Sequence, residues 1–241
     1  MAGVFKTNVD SVTASIEFSP NKRIWSRTLL SIGDAYIRRY SQPGLGENRS
    51  NVRDWHAETV ADWKPSQTLR ITGGLSYVRS TTHQRIDLSQ LSGLGQFDDE
   101  QRSLGLFGEA SWRFYPRFEL NAGLRYQNDR QVRTGELARG AGAIPLEYGR
   151  SFDAVLPKVS LAFEVDANLD VGVLAQRAYN PGGATLRFDT GLPDELDAER
   201  LWDFELFTRA TLGHGLRVRF NIFQSEIRDA QRSRPVLIVA P

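Results

Sequence analysis

The 241-residue sequence contains no cysteine, which excludes a disulfide scaffold, a thiolate zinc site and a cysteine nucleophile. It has no uninterrupted apolar run of about 18 residues, and its mean hydropathy is −0.39, so no transmembrane helix is expected. The 30 basic and 29 acidic side chains nearly cancel, which argues against a nucleic-acid partner. The apolar opening turns polar at Lys6, too soon for a signal peptide. A membrane β-barrel remains compatible with all of these absences, because its lipid-facing residues occupy only every second position.

Apolar residues do recur at every second position along most of the chain. Even positions from 104 to 114 are apolar or small, and the pattern resumes over 118–126 after Tyr115 and Pro116. This period predicts two strands of ten or more residues joined by a tight turn. Proline cannot donate to a ladder, so Pro116 also marks where pairing stops.

The same unit predicts five hairpins, which begin near positions 11, 53, 101, 155 and 201 and have turns of two to five residues. The return strand of the first hairpin is expected to change phase near Leu29 and Leu30. Alternate connections of an up-and-down sheet share an edge, so short turns line one rim and long loops the other, as in outer-membrane barrels. The long loops are expected at roughly 38–52, 80–100, 129–154 and 179–200.

The two faces of these strands differ in charge. Over the six clearest strands the apolar face has no charged residue, whereas the opposite face has thirteen: Glu109, Arg113, Arg117, Glu119, Arg125, Lys158, Glu164, Asp170, Asp203, Glu205, Arg209, Arg217 and Arg219. Aromatic residues lie near strand ends, as in the girdles of membrane barrels. Because an arginine at the bilayer midplane would cost about 2–4 kcal/mol, the charged face is predicted to surround an aqueous interior.

Several segments resemble the wall of a TonB-dependent outer-membrane receptor. They are Phe97–Ala110, Leu120–Tyr126, Leu156–Phe163, Ala178–Gly183, Ala198–Leu206, Phe220–Phe223 and Ile227–Gln231. The resemblance implies a 22-stranded barrel in the Gram-negative outer membrane, filled by an N-terminal plug. Such receptors import scarce solutes such as ferric siderophores, and the TonB complex drives import through an N-terminal box.

The expected fold is therefore all-β: an antiparallel up-and-down transmembrane barrel segment of about ten long strands. Residues 1–241 are expected to form a partial receptor-like barrel, with strands over about 11–228 and with no plug domain, TonB box or signal peptide. The expected partners are outer-membrane lipid, a plug and further strands supplied elsewhere, and a small ligand such as a siderophore. The TonB complex would act only through the missing N-terminal part, so the chain is not expected to import anything alone.

No catalytic, cofactor or metal site is expected, and the protein is not expected to be an enzyme. His56, His83 and His214 are too far apart in sequence to form a metal site, and Asp98–Glu100 is expected to be a solvated acidic loop. The ligand-binding residues cannot be assigned. Three interior-facing residues could contact a passenger or a plug, or could pair with each other: Glu109, Arg113 and Arg125.

Two alternatives stay open. The first is a self-contained ten-strand barrel, either a passive pore or an omptin-like protease that would need His83 with Asp87 and Asp98-Asp99 to activate water. The second is a soluble ligand-binding β-protein, since alternation also occurs in soluble sheets.

Overall fold

The computed structural model describes residues 4–40, 46–88, 93–186 and 192–231, and nearly all of them are in strands. Ten strands form one antiparallel sheet in the order β1-β2-β3-β4-β5-β6-β7-β8-β11-β12, and β9 and β10 form a separate hairpin. No helix in these ranges is long and apolar enough to cross a membrane. The strands are β1 (Val4–Asn21), β2 (Ile24–Tyr40), β3 (Glu47–Trp63), β4 (Leu69–Leu88), β5 (Gly93–Tyr115), β6 (Phe118–Arg139), β7 (Gly142–Asp166), β8 (Leu169–Asn180), β9 (Gly183–Leu186), β10 (Pro193–Leu196), β11 (Glu199–Thr211) and β12 (Arg217–Arg228).

The five predicted short turns are confirmed, and all lie on one rim, hereafter the short-turn rim. They occupy residues 22–23, 64–68, 116–117, 167–168 and 212–216, the last of which contains a 3-10 turn. Local side-chain hydrogen bonds fix several of them. The Asn21 side chain accepts from the backbone N–H of Arg23 at 2.8 Å, and the Asp166 side chain accepts from that of Asn168 at 2.7 Å.

The opposite rim has the long connections, but most of their residues lengthen the strands. The alternation in the sequence predicts strands of 10–13 residues, but β1 to β7 are all longer, and β5, β6 and β7 have 23, 22 and 25 residues. The prediction of an irregular loop at 129–154 is wrong, because β6 and β7 stay paired from Phe118↔Phe163 to Arg139↔Gly142. The loop at 179–200 contains the β9–β10 hairpin. Residues 41–45, 89–92 and 187–191 of these connections lie outside the described ranges.

The expected change of apolar phase near Leu29 and Leu30 occurs without a change in strand register. β2 pairs with β3 without interruption from Ile24↔Trp63 to Tyr40↔Glu47. Leu29 lies on the same face as the charged residues of the neighbouring strands, whereas Leu30 lies on the apolar face. The apolar pattern shifts here because an apolar residue, Leu29, lies on the charged face, while the backbone keeps its register.

Strand register places the apolar positions of all ten strands on one side of the sheet, the outer face. Gly73, Gly108, Leu124 and Pro157, for example, lie side by side on four successive strands. All thirteen charged residues predicted to face an interior lie on the opposite side, the inner face. Over the stretches that show the period of two, one neutral and one ionic face follow directly from it.

Aromatic residues bound the apolar part of the outer face at both ends. At about 3.4 Å per residue and a tilt of about 40°, the residues from Leu104 to Phe114 span about 26 Å, close to the height of a lipid-facing barrel band. We call this part of the outer face the apolar band. Its aromatic boundary comprises Trp63, Trp112, Phe114, Phe118 and Phe163 toward the short-turn rim and Trp55, Tyr77, Tyr126 and Trp202 at the other end.

The sheet has two edges and one internal division. Among the described residues, β1 pairs only with β2 and β12 only with β11. The ladder between β7 and β8 ends at Lys158↔Gln176, while β7 continues beside β6 and β8 continues beside β11. Pro157, which has no N–H to give to a neighbouring strand, is the next residue of β7 beyond that pair. The strands β1 to β7 and the strands β8, β11 and β12 therefore separate from this point to the end of the sheet farther from the short-turn rim.

Candidate functional site

The inner face near the short-turn rim contains a cavity of about 610 Å³. Its charged residues neutralise one another locally. Lys158 Nζ donates to Glu109 Oε2 at 3.1 Å, and Arg113 Nη2 lies 3.6 Å from Glu119 Oε2. The cavity is lined by acids (Glu109, Glu119, Glu164, Asp170 and Glu205), by cations (Arg113, Arg117, Lys158 and Arg209), and by Phe118, Asn121, Ser160, Ala162, Ala167, Leu174 and Phe207.

Arg125, the third interior-facing candidate, lies higher on the same face. Its Nε donates to Gln127 Oε1 at 2.9 Å, and its Nη2 donates to Ser76 Oγ at 3.3 Å. Gly105 leaves room for the guanidinium, since a Cβ there would lie 2.4 Å from Arg125 Nη2. Thus Glu109, Arg113 and Arg125 all face inward as expected, but each pairs with another residue and not with the other two.

Aromatic rings on the inner face lie against glycines on neighbouring strands. Phe107 covers Gly74, and Phe207 covers Gly172, where an added Cβ would come within 2.3 Å of the ring. Glycine inside a strand is unfavourable unless something packs over its exposed backbone. These contacts bury Phe207 to 7% exposure beside the charged residues of the cavity.

A small apolar cluster lies on the inner face at the end opposite the short-turn rim. Its buried members are Phe97, Leu137 and Leu146, and Ile86 and Ala184 pack against them. Ala184 belongs to β9, so the β9–β10 hairpin folds back onto the sheet. The hairpin thereby covers part of the inner face.

Arg133 of β6 connects the cluster to the hairpin. Its guanidinium stacks 4.9 Å from the Phe97 ring centroid, and Nη1 donates to the Ala184 carbonyl at 3.4 Å. Nη2 donates to Gln84 Oε1 at 3.3 Å, and Nε lies 3.4 Å from Asp99 Oδ1. Burial raises the pKa of Asp99, although the Arg133 charge acts in the opposite direction.

A second arginine anchors the far end of the hairpin. Arg150 Nη1 donates to Asp197 Oδ1 at 3.1 Å and lies 3.7 Å from Glu195 Oε2. The adjacent inner-face residue Tyr148 is 4% exposed, and its hydroxyl has no hydrogen-bond partner among the described residues. Burial raises the pKa of Tyr148.

A tyrosine bridges the division between β7 and β8. Tyr179, near the end of β8, donates a hydrogen bond to Asp129 of β6, which also accepts from Gln127 Nε2 at 3.0 Å. Burial and this hydrogen bond raise the pKa of Tyr179 well above its usual range. Side chains therefore connect the two halves of the sheet where the backbone ladder does not.

The structure places His83 and its neighbouring aspartates on different faces and at different levels of the sheet. His83 pairs with Asp98 across β4 and β5 on the outer face, whereas Asp99 lies on the inner face and Asp87 lies four residues further along β4. Residues 98–100 lie in β5, not in the loop that we expected, and successive carboxylates alternate between faces. The described residues contain no group of three or more potential metal ligands, and the side chain of His214 is outside them.

The inner-face features around the hairpin were missed from the sequence. Phe97, Arg133 and Tyr148 all fall in segments interpreted as loops. A signal was present, because Ile86, Phe97, Leu137, Leu146 and Phe152 continue the inward phase of the adjoining strands. Polar residues on both faces concealed it.

Comparison with known proteins identifies the fold. A family model described as TonB dependent receptor-like, beta-barrel matches residues 3–240. The ferric yersiniabactin uptake receptor FyuA of Yersinia pestis is 16% identical with a TM-score of 0.82, and the match covers 94% of this chain and 37% of FyuA. The closed form of the ferric-catecholate import receptor Fiu of E. coli K12 is 11% identical with a TM-score of 0.75, and the match covers 92% of this chain and 41% of Fiu.

The hemophore receptor HasR of Serratia marcescens, in complex with HasA and heme, is 13% identical with a TM-score of 0.72, and the match covers 94% of this chain and 40% of HasR. The chain thus spans about two fifths of the length of these three proteins. At such identities the structural likeness shows a shared fold. Because the family model matches nearly the whole sequence, the protein belongs to the TonB-dependent receptor family, and its ten-stranded sheet is part of that family's β-barrel domain.

Proposed function

We propose that the chain is a section of the wall of a receptor that imports a scarce solute, such as a ferric siderophore, across a Gram-negative outer membrane. The solute, the energised step and the TonB complex belong to the whole receptor. The chain spans only about two fifths of the related structures. We propose that a plug domain and further strands complete it and that the chain does not import alone.

The observation behind this proposal is that the apolar band of the outer face has no charged residue, whereas the inner face beside it is ionic. The apolar band exposes large side chains, among them Leu106 at 57% and Phe204 at 49%. A soluble protein does not expose an apolar surface that extends over ten strands. Hydrocarbon is the solvent that this band fits, and a polar interior fits the inner face.

The two edges of the sheet support the need for further strands. Strands in hydrocarbon must satisfy every N–H and C=O within the protein. β1 and β12 pair on one side only in the described sheet. Neighbouring strands of a longer wall would pair with both edges.

The cavity near the short-turn rim supports a plug on the inner face. Glu109 and Arg113 lie there in pairs that are only partly buried, so they can exchange partners with polar groups of an inserted domain. Charged groups of both signs fix the orientation of such a contact more than they increase its affinity.

The alternative functions receive less support. Members of this family are transporters, not enzymes, and the His83–Asp98 pair lies on the outer face with Asp99 on the opposite side. The ten strands form an open sheet over the described residues, which does not support a self-contained pore.

Two experiments test the proposal. The purified chain should need detergent or lipid to stay folded and monomeric, and a folded monomer in plain buffer would overturn the membrane assignment. The chain alone, reconstituted in liposomes with the TonB complex, should import no ferric siderophore, whereas the complete receptor that contains it should. Energised uptake by the chain alone would overturn the proposal that import needs the rest of the receptor.

A further inference from the structure

On several strands of the outer face, an arginine lies just beyond the end of the apolar band that is farther from the short-turn rim. Two residues beyond the end of the apolar band on the outer face come Arg53 after Trp55, Arg79 after Tyr77, Arg102 after Leu104, Arg177 after Ala175 and Arg200 after Trp202. On β6 the interval is four residues, from Tyr126 to Arg130. The arginines therefore mark the level at which hydrocarbon would give way to headgroups.

Three of these arginines are adjacent. Arg79 is directly opposite Arg102, and Arg102 is directly opposite Arg130, on β4, β5 and β6. We call these three residues the arginine row. Like charges directly opposite each other on neighbouring strands destabilise a sheet. An anion bound between these arginines would therefore stabilise it.

The protein supplies too few carboxylates for the row. Glu100 accepts from Arg79 Nη2 at 3.2 Å and also from Arg102. Arg130 is exposed and has no hydrogen bond or ion pair with any described residue. The nearest other acid on this face, Asp153, already accepts from Tyr126 at 2.5 Å and from Asn128 at 2.9 Å. The row thus keeps an excess of positive charge.

We infer that the arginine row binds the phosphate of a lipid headgroup in the outer leaflet. This inference rests on the proposed membrane setting and goes beyond the proposed import function. The guanidinium fork matches two phosphate oxygens at once. The row lies on the lipid-facing side just above the apolar band, so a phosphate attached to acyl chains reaches it while the chains lie against Tyr77 and Leu104.

Native mass spectrometry of the folded chain in nonionic detergent micelles tests this inference with three probes. Dioleoylphosphatidic acid carries a phosphate, dioleoylglycerol has the same acyl chains without it, and inorganic phosphate has no chains. Phosphatidic acid should bind with the highest affinity. Equal binding of the two lipids, or equally strong binding of inorganic phosphate, would contradict a headgroup site.

Variants localise the site. R102Q/R130Q should weaken phosphatidic acid binding about 30-fold, which corresponds to about 1 kcal/mol per arginine at 1.4 kcal/mol per factor of ten. The matched control R217Q/R219Q removes two arginines from the inner face of β12 and should leave binding unchanged. An equal loss in both variants would overturn the assignment to the row.

A further variant protects the test against misfolding. If R102Q/R130Q does not fold, R130Q alone removes a side chain without a partner in the described chain and should still weaken binding about fivefold. Unchanged binding in folded R130Q would overturn the inference. A chain that folds without amphiphile would instead refute the membrane setting, so the two failures are distinguishable.

Discussion

Phe97 of β5 lies directly opposite Gly135 of β6, and its ring occupies the space that a side chain at position 135 would need. A Cβ at that position would lie 2.8 Å from Phe97 Cδ1 and 2.1 Å from the Gln96 carbonyl oxygen. Gly135 also has φ of +149°, a conformation essentially restricted to glycine. This pair therefore fixes one side of the apolar cluster beneath the hairpin.

Gly135→Ala should destabilise the folded protein by about 2–4 kcal/mol, because it adds both backbone strain and a steric clash. Guanidinium unfolding in detergent measures the change. Gly149→Ala is the matched control, since a Cβ at position 149 meets nothing within 4 Å. Similar midpoints for the two variants would contradict the packing of Phe97 on Gly135.

Depth in the membrane can be tested with one residue type at two heights. Gly108 lies in the middle of the apolar band and Gly149 lies beyond it, both on the outer face and both in open space. Gly108→Arg should cost about 2–4 kcal/mol of folding free energy in a bilayer, whereas Gly149→Arg should cost at most about 1 kcal/mol. Refolding into vesicles at graded denaturant concentrations measures both. Equal costs would show that the band does not meet hydrocarbon.

Tyr179→Phe should cost about 1–3 kcal/mol at pH 7, because Asp129 loses a hydrogen bond while it stays buried. The pKa of Tyr179 is raised in the folded state, so the unfolded phenol ionises first as pH rises above about 10. The contribution of Tyr179 is thus complete below pH 10 and declines above it. The difference in unfolding free energy between wild type and variant should shrink accordingly.

Tyr148→Phe serves as the control for that experiment. Its hydroxyl is buried without a hydrogen-bond partner among the described residues, so its removal should be neutral or slightly stabilising. A loss as large as that of Tyr179→Phe would contradict the assigned hydrogen bonding.

Arg133→Met should loosen the β9–β10 hairpin, because the Ala184 carbonyl loses its donor and Asp99 loses its neighbouring positive charge. A loss of about 1 kcal/mol would raise amide hydrogen exchange in β9 and β10 about fivefold. Arg85→Met, on the outer face of β4, should not change it. Unaltered exchange in Arg133→Met would show that the hairpin is held by other contacts.

The transmembrane part of the fold could be predicted from the sequence because its environment is simple. Between Leu104 and Phe114 one side meets an apolar phase and the other a polar one, so each position reports its face. That contrast placed all thirteen charged residues on the inner face and located every short turn.

Beyond the apolar band the prediction fails for a physical reason. Polar residues such as Asp98 and Glu100 occupy the outer face of β5 there, so the apolar alternation that reveals the rest of the strand is lost. The inward fold of the hairpin depends on contacts between Arg133 and Ala184 and between Arg150 and Asp197, which join residues 47–51 positions apart. No local pattern records such contacts.

Over the described part of the chain β1 and β12 pair on one side only, and in the proposed bilayer this makes edge pairing a condition of stable insertion. Each edge presents several main-chain amides and carbonyls at the level of the apolar band, and in hydrocarbon these together would cost on the order of tens of kcal/mol. A typical domain is stable by only about 5–15 kcal/mol. In the proposed membrane setting, an assembly that left either margin bare would therefore be far less stable than one in which both margins are paired.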